Sequence, residues 1–154
     1  MNQLLISIII PSFNRACLIS QTLDSILMQT YENWECIIID DGSTDLTESI
    51  VQNYMLKDKR FKYFKRPEIK LKGANSCRNY GLSIAKGVII QWFDSDDLLY
   101  KNAFELYVNE FKKSPGLDVV VAKLQMVEMM SNMLIKENLI FSKNIIEDYF
   151  VGRI

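Results

Sequence analysis

Val88–Phe93 reads VIIQWF, a largely apolar run that passes directly into Asp94-Ser95-Asp96-Asp97. The same order occurs twice earlier: Leu4–Ile10 (LLISIII) precedes Pro11-Ser12-Phe13-Asn14-Arg15, and Trp34–Ile39 (WECIII) precedes Asp40-Asp41-Gly42-Ser43. Near-continuous runs rich in β-branched residues are typical of strands covered on both faces, as in parallel sheets. The sequence therefore predicts three buried strands, each followed by a polar cluster at its carboxyl end.

The segments between these runs have helical spacing. Apolar residues recur every three or four positions at about 18–29, 45–54, 74–85 and 102–113, which predicts four helices. Further strands are predicted at Phe61–Lys65, at Leu117–Ala122 and near Leu134–Phe141, with a last helix from about Lys143 to Phe150. Alternating strands and helices indicate an α/β fold with a mostly parallel sheet flanked by helices, and such sheets bind ligands outside the carboxyl ends of their strands.

The composition excludes several classes of function. The 154 residues carry 18 Lys+Arg against 19 Asp+Glu, which argues against a nucleic-acid binder and a polybasic membrane anchor. There is no histidine, so Ser-His-Asp catalysis and a His-ligated zinc site are excluded. Leu4–Ile10 is too short to span a bilayer, and three cysteines without a C-x-x-C pair fit a reducing compartment. We expect no transmembrane segment and a cytoplasmic location, either free or peripheral to the inner face of the membrane.

Five carboxylates are predicted at one edge of the sheet, those of Asp40, Asp41, Asp94, Asp96 and Asp97. Two unit charges about 4 Å apart cost about 4 kcal/mol at an effective dielectric of about 20, so something should offset the repulsion. A divalent cation is the simplest candidate, and oxygen-only ligands suit Mg²⁺ or Mn²⁺. Each acidic cluster alone is also typical of a turn or helix cap, but the two together favour a site. Glycine-rich phosphate loops are absent from the sequence, so phosphates would be held by a metal and by Arg or Lys.

Three segments together resemble the family 2 glycosyltransferases: SIIIPSFNR (7–15), IIIDDGSTD (37–45) and GANSCRNYGLSIAKGVIIQWFDSDD (73–97). The resemblance covers about Ser7 to Leu99 and implies the Rossmann-like GT-A fold in a single domain, truncated at its C-terminus. Residues 1–100 would form the nucleotide-sugar-binding part, and residues 101–154 would begin the acceptor-side part. The family transfers a sugar from a nucleotide-diphosphate donor, here expected to be a UDP-sugar, to a hydroxyl of a glycan or lipid-linked acceptor, with inversion.

The resemblance also implies roles for individual residues in donor binding. Pro11 and Phe13 would line the base pocket, Asn14 and Arg15 would be further donor-binding residues, and either Asp40 or Asp41 would accept a hydrogen bond from the base. Arg78 would lie near the base or the diphosphate, although a solvated helix face is its alternative. Asp94 would face the ribose or the sugar, Ser95 would be a further donor-binding residue, and Asp96, with Asp97 not separable from it, would ligate the Mn²⁺ or Mg²⁺ that bridges the phosphates.

The general base is the part that the sequence does not supply. The family's base lies in the acceptor half, so we expect it beyond Ile154 and expect the chain alone to be inactive. Glu147-Asp148 is the only late acidic pair, and a solvated helix face explains it better. Met126–Met133 is better explained by core packing than by an acceptor or oligomer surface. A homo-oligomer is left open.

Two functions of other classes compete with sugar transfer. One is a non-catalytic, receiver-like signalling module that uses an acidic pocket and Mg²⁺, and the other is a protein–protein module whose acids are solvated. The first strand ends in Pro-Ser-Phe-Asn rather than in an acidic pair, which disfavours the signalling module.

Overall fold

The computed structural model describes residues 3–120 and the backbone of residues 124–127 and 134–138. The chain divides into two compact units, Met1–Leu106 and Tyr107–Ile154. The first unit holds a four-stranded sheet, and the second holds an antiparallel pair of short strands. No helix in the described part is long and apolar enough to cross a bilayer.

The first unit is built on a parallel sheet with the strand order β3-β2-β1-β4. Its strands are β1 (Ile6–Ser12), β2 (Trp34–Asp40), β3 (Phe61–Lys65) and β4 (Ile89–Trp92). The helices are α1 (Ile19–Leu27), α2 (Thr47–Lys57), α3 (Ala74–Ile84) and α4 (Ala103–Lys113), the last of which crosses into the second unit. The predicted parallel α/β sheet and its four helices are therefore confirmed.

The two central strands are covered on both faces. Every residue of β1 and β2 is buried, as their apolar runs predict. Helix α3 lies close against the sheet at Gly81, where an added Cβ would overlap the Cγ2 atom of Ile9. The core therefore sits around β1 and β2, and it holds the loops that follow them in place.

Strand β1 continues two residues beyond the predicted end at Ile10, through Pro11 to Ser12. Alternate residues of a parallel strand face opposite neighbours: the carbonyl of Ile9 accepts from Phe93 after β4, and the carbonyl of Ser12 accepts from Asp41 after β2. Pro11 therefore faces the β4 side, where pairing has already ended at Ile9. Its missing N–H leaves no gap in the ladder, which explains why proline is tolerated there.

One buried carboxylate ties three strands together at the other end of the sheet. Glu35 on β2 accepts hydrogen bonds from Ser7 Oγ (2.6 Å), the Lys86 backbone N–H (2.7 Å) and Lys62 Nζ (2.5 Å). Burial alone would raise the pKa of Glu35, but these bonds and the Lys62 charge outweigh it and hold the pKa below its usual value. The group is thus bound as a carboxylate.

Three secondary-structure predictions need correction or lie outside the description. The predicted strand at Leu117–Ala122 is wrong for residues 117–120, which form no regular structure, and residues 121–122 lie outside the described part. The strand predicted near Leu134–Phe141 is present as β6 (Leu134–Asn138), and it pairs antiparallel with β5 (Leu124–Val127), a strand that the sequence pattern did not predict. The late helix at Lys143–Phe150, the Glu147-Asp148 pair and the side chains of Met126–Met133 lie outside the described residues.

Candidate functional site

A pocket of about 350 Å³ lies at the carboxyl ends of the parallel strands. The strand order reverses between β1 and β4, since the chain first builds outward through β2 and β3 and then returns to the other side of β1. Such a switch point is where open α/β sheets form a ligand crevice. The pocket is lined by Pro11, Ser12, Phe13, Arg15, Asp41, Ala74, Arg78, Asp94, Ser95 and Asp96.

The loops after β1 and β2 are joined by side-chain hydrogen bonds. Asn14, which has a positive φ of 51°, accepts from Thr44 N–H (2.8 Å) and donates its own N–H to Ser43 Oγ (2.9 Å). Asp45 accepts from Ala16 N–H at 3.0 Å. Asparagine tolerates this left-handed backbone better than most residues. Asn14 therefore holds the two loops together and is not among the residues that line the pocket.

Asp40 directs its carboxylate into its own turn. Oδ2 accepts from Gly42 N–H (3.0 Å) and Ser43 N–H (2.8 Å), and Oδ1 accepts from Ser43 Oγ. The residue is 1% exposed and does not line the pocket. These contacts are those of a turn-forming aspartate.

Asp41 lines the pocket, and two donors that are not part of the pocket lining bind its carboxylate. Arg66 Nε donates to its Oδ1, and Gly73 N–H donates to its Oδ2 at 2.8 Å. A carboxylate has about four acceptor positions, so two remain after these bonds. Asp41 can therefore present acceptor capacity to a molecule in the pocket.

Two ion pairs join arginines to the loop that follows β4, and all four side chains line the same pocket as Asp41. Arg78 Nη2 donates to Asp94 Oδ1 at 2.6 Å, and Arg15 Nη2 lies 3.7 Å from Asp96 Oδ2. Partial burial raises the pKa of Asp97, and the charges of Asp94 and Asp96 add to the shift. Asp97 does not line the pocket, which separates it from Asp96.

Arginines offset the negative charge of the carboxylates, a role that the sequence predicts for a divalent cation. Asp41, Asp94 and Asp96 each have a guanidinium partner, and backbone N–H groups serve Asp40. Among the described residues, no group of three or more acidic or cysteine side chains is arranged to hold a metal ion. Repulsion between carboxylates is thus no longer an argument for a metal, and a cation held by these carboxylates would take its remaining ligands from water or a bound molecule.

The comparisons with known proteins point to one family. The family model for glycosyl transferase family 2 matches residues 7–147. The chain belongs to that family. An uncharacterized glycosyltransferase from Haemophilus influenzae is 44% identical over 109 residues, which cover 71% of this chain and 43% of that protein.

Two solved structures carry the same fold as this family 2 glycosyltransferase chain. TarS from S. aureus in complex with UDP-GlcNAc matches with a TM-score of 0.65 and 29% identity, over 70% of this chain and 31% of that one. The mannosyltransferase PcManGT from Pyrobaculum calidifontis in complex with GDP-Man and Mn²⁺ matches with a TM-score of 0.64 and 27% identity, over 76% and 34%. The predicted GT-A fold is confirmed, and the chain spans less than half the length of these relatives.

The structure brings together eight of the eleven residues predicted for the site of this family 2 glycosyltransferase. Asn14, Asp40 and Asp97 are the three that do not line the pocket. Sequence reasoning missed Ser12 and Ala74 in the lining, and it missed Arg66 behind it. Arg66 comes directly after β3, so the rule applied to the other strand ends would have found it.

Proposed function

We propose that this chain carries the donor-binding half of an inverting, metal-assisted glycosyltransferase. It would transfer a sugar from a nucleoside diphosphate, expected to be UDP, to a hydroxyl of a glycan or lipid-linked acceptor. The pocket at the switch point of the sheet supports this proposal best, because it gathers a hydrogen-bond acceptor, two arginines and two further carboxylates. Family membership favours this function over a signalling or protein–protein module.

In this proposal Asp41, and not Asp40, binds the base. A carboxylate only accepts hydrogen bonds, so it suits the ring N–H of uracil or guanine and repels the bare ring nitrogen of cytosine. TarS is solved with UDP-GlcNAc and PcManGT with GDP-Man, and both bases carry such an N–H. Phe13 is 44% exposed and offers a ring face beside the pocket for stacking.

Arg15 and Arg78 would bind the diphosphate. Their present partners are Asp96 and Asp94, and both carboxylates are about half exposed. Exposed ion pairs contribute about 0–1 kcal/mol, so a diphosphate can displace them at little cost. The guanidinium groups would then stabilise the negative charge that builds on the leaving nucleoside diphosphate as the sugar departs.

Asp96, with Asp94 beside it, is suited to hold Mn²⁺ or Mg²⁺. Mg²⁺ is usually bound through one or two carboxylates together with substrate phosphates, so a site without three protein carboxylates fits this chemistry. A bound cation would supply Lewis-acid stabilisation of the diphosphate. We place the general base for the acceptor hydroxyl outside the described residues, in line with the family's use of the acceptor half.

Calorimetry with nucleoside diphosphates tests the proposal directly. The purified chain is titrated with UDP, GDP and dTDP, each with Mn²⁺ and again with EDTA. We expect at least one of the three to bind and expect EDTA to weaken that binding. Absence of heat with all three nucleotides in the presence of Mn²⁺ would refute donor binding, and binding that EDTA leaves unchanged would refute metal assistance alone.

A further inference from the structure

The loop between β3 and α3, residues 66–73, begins and ends on a single carboxylate. Arg66 Nε donates to Asp41 Oδ1 at the start of the loop, and Gly73 N–H donates to Asp41 Oδ2 at 2.8 Å at its end. Gly73 has a φ of +132°, a conformation that side chains rarely adopt, so glycine suits this end of the loop. The two hydrogen bonds that hold the Asp41 carboxylate are thus the same bonds that hold the two ends of the loop.

Arg66 also holds the interior of the same loop. Its Nη1 group donates to the carbonyl of Pro67 at 2.9 Å and to the carbonyl of Lys70. The Arg66 side chain is 13% exposed and that of Asp41 is 10% exposed, so water competes little for these bonds. A planar guanidinium can serve a carboxylate and two carbonyls at once, whereas an ammonium group has no such fixed fork.

The loop in turn reaches the pocket. Lys72 Nζ lies 4.3 Å from the centre of the Phe13 ring, and Ala74, just past the loop, lines the pocket with Phe13 and Asp41. A change at Arg66 would therefore move both the acceptor that faces the base and the wall beside the aromatic ring.

We propose that Arg66 is a positioning residue for recognition of the nucleobase. This inference rests on the proposed function, since it assumes that Asp41 faces the base. Arg66 and Gly73 each take one acceptor position, one on each oxygen of the Asp41 carboxylate, which leaves its other acceptor positions for a ring N–H in the pocket. Arg66 thereby sets the preference for uracil or guanine, whose ring N–H groups donate, over cytosine, whose ring N3 accepts.

Arg60 provides a control at the opposite end of β3. It precedes β3 as Arg66 follows it, and its guanidinium likewise binds a carboxylate, Asp58, and a backbone carbonyl, that of Glu32 at 2.9 Å. Arg60 does not line the pocket. Weaker folding from the loss of a guanidinium beside β3 should therefore also follow Arg60 substitution, although Arg60 is more exposed than Arg66 (33% against 13%).

The test compares the affinities of UDP, GDP and CDP by calorimetry for the wild-type chain and four variants: Arg66→Lys, Arg66→Gln, Arg60→Lys and Arg60→Gln. In the wild type, UDP or GDP should bind at least tenfold more tightly than CDP. Arg66→Gln should weaken the preferred nucleotide about tenfold and leave CDP nearly unchanged. Arg66→Lys keeps the buried positive charge and serves as the test if Arg66→Gln does not fold. It should lower the preference about threefold. Both Arg60 variants should keep the wild-type preference for UDP or GDP over CDP.

The possible failures are distinguishable. If the wild type binds no nucleoside diphosphate, the proposed function fails and this inference fails with it. If the wild type binds CDP as tightly as UDP and GDP, or if Arg66→Lys keeps the wild-type preference, the role of Arg66 is refuted while donor binding stands. An equal loss in the Arg60 variants would assign Arg66 to folding alone.

Discussion

Removal of the Glu35 carboxylate should cost a large part of the stability of the sheet. In Glu35→Ala, the Ser7 hydroxyl and the Lys86 N–H lose their acceptor inside the protein. Ser7 Oγ already accepts from Gly87 N–H at 2.8 Å, which restricts how it can turn to find another partner. A buried donor left without a partner costs about 1–3 kcal/mol, so for the buried Ser7 hydroxyl and the partly buried Lys86 N–H together we expect a loss of about 2–6 kcal/mol. Lys62 is one-third exposed and can turn to water, so it adds little.

Glu35→Gln separates the charge from the shape of the side chain. The amide oxygen can still accept from Ser7 and Lys86, so only the charge assistance of these bonds and the pairing with Lys62 are lost. We expect the free energy of unfolding to fall by about 1–2 kcal/mol. Urea unfolding at pH 7 measures this loss from the change in midpoint at constant slope. Glu110→Ala is the control, because its pair with Lys113 is exposed, and it should change stability by less than about 0.5 kcal/mol.

The pH dependence gives an independent check on the same carboxylate. The pKa of Glu35 lies below its ordinary value of 4.5 in the folded protein, so the unfolded chain binds the proton more readily. Its contribution is therefore present above pH 4.5 and is lost as the pH falls through the folded pKa. The stability difference between wild type and Glu35→Gln should shrink below that pH. A difference that is constant down to pH 3, or a Glu35→Ala variant within about 1 kcal/mol of wild type, would refute the reasoning.

Three further experiments test the site and the packing beneath it. Asp41→Asn should weaken UDP binding about tenfold or more in calorimetry, whereas Asp40→Asn should stay within about threefold, because its carboxylate is bonded to its own turn. Equal losses in the two variants would contradict this division. Asp96→Ala should abolish the Mn²⁺ dependence of nucleotide binding, which the exposed control Asp118→Ala should retain, and unchanged dependence in Asp96→Ala would remove its assignment. Gly81→Ala should lower the free energy of unfolding by about 1–2 kcal/mol, since its Cβ overlaps a buried side chain of β1; a more stable variant would show that helix propensity prevails over the overlap.

The strands and the polar ends of the sheet could be predicted from sequence because burial on both faces produces long apolar runs. The choice between Asp40 and Asp41 could not. It depends on which of the two carboxylates accepts hydrogen bonds from its own turn. Two adjacent aspartates do not differ in sequence in any way that would predict this. The position of Arg66 at this edge follows from the same strand-end rule, but its pairing with Asp41 does not: Asp40 pairs with Lys65 in the sheet, so the residues that follow them meet only once this register exists.

The ion pairs divide the proposed donor site into a fixed part and an exchangeable part. Asp41 and Arg66 are nearly buried, so separation of this pair would leave an uncompensated charge at a cost of about 3–5 kcal/mol. The pairs of Asp94 and Asp96 with Arg78 and Arg15 are partly exposed and contribute about 1 kcal/mol or less each. A diphosphate and a cation can therefore take over the arginines and the carboxylates while the group that faces the base stays in place. The Arg66 variants should then alter the preference among bases, and Asp96→Ala should alter the dependence of binding on the cation.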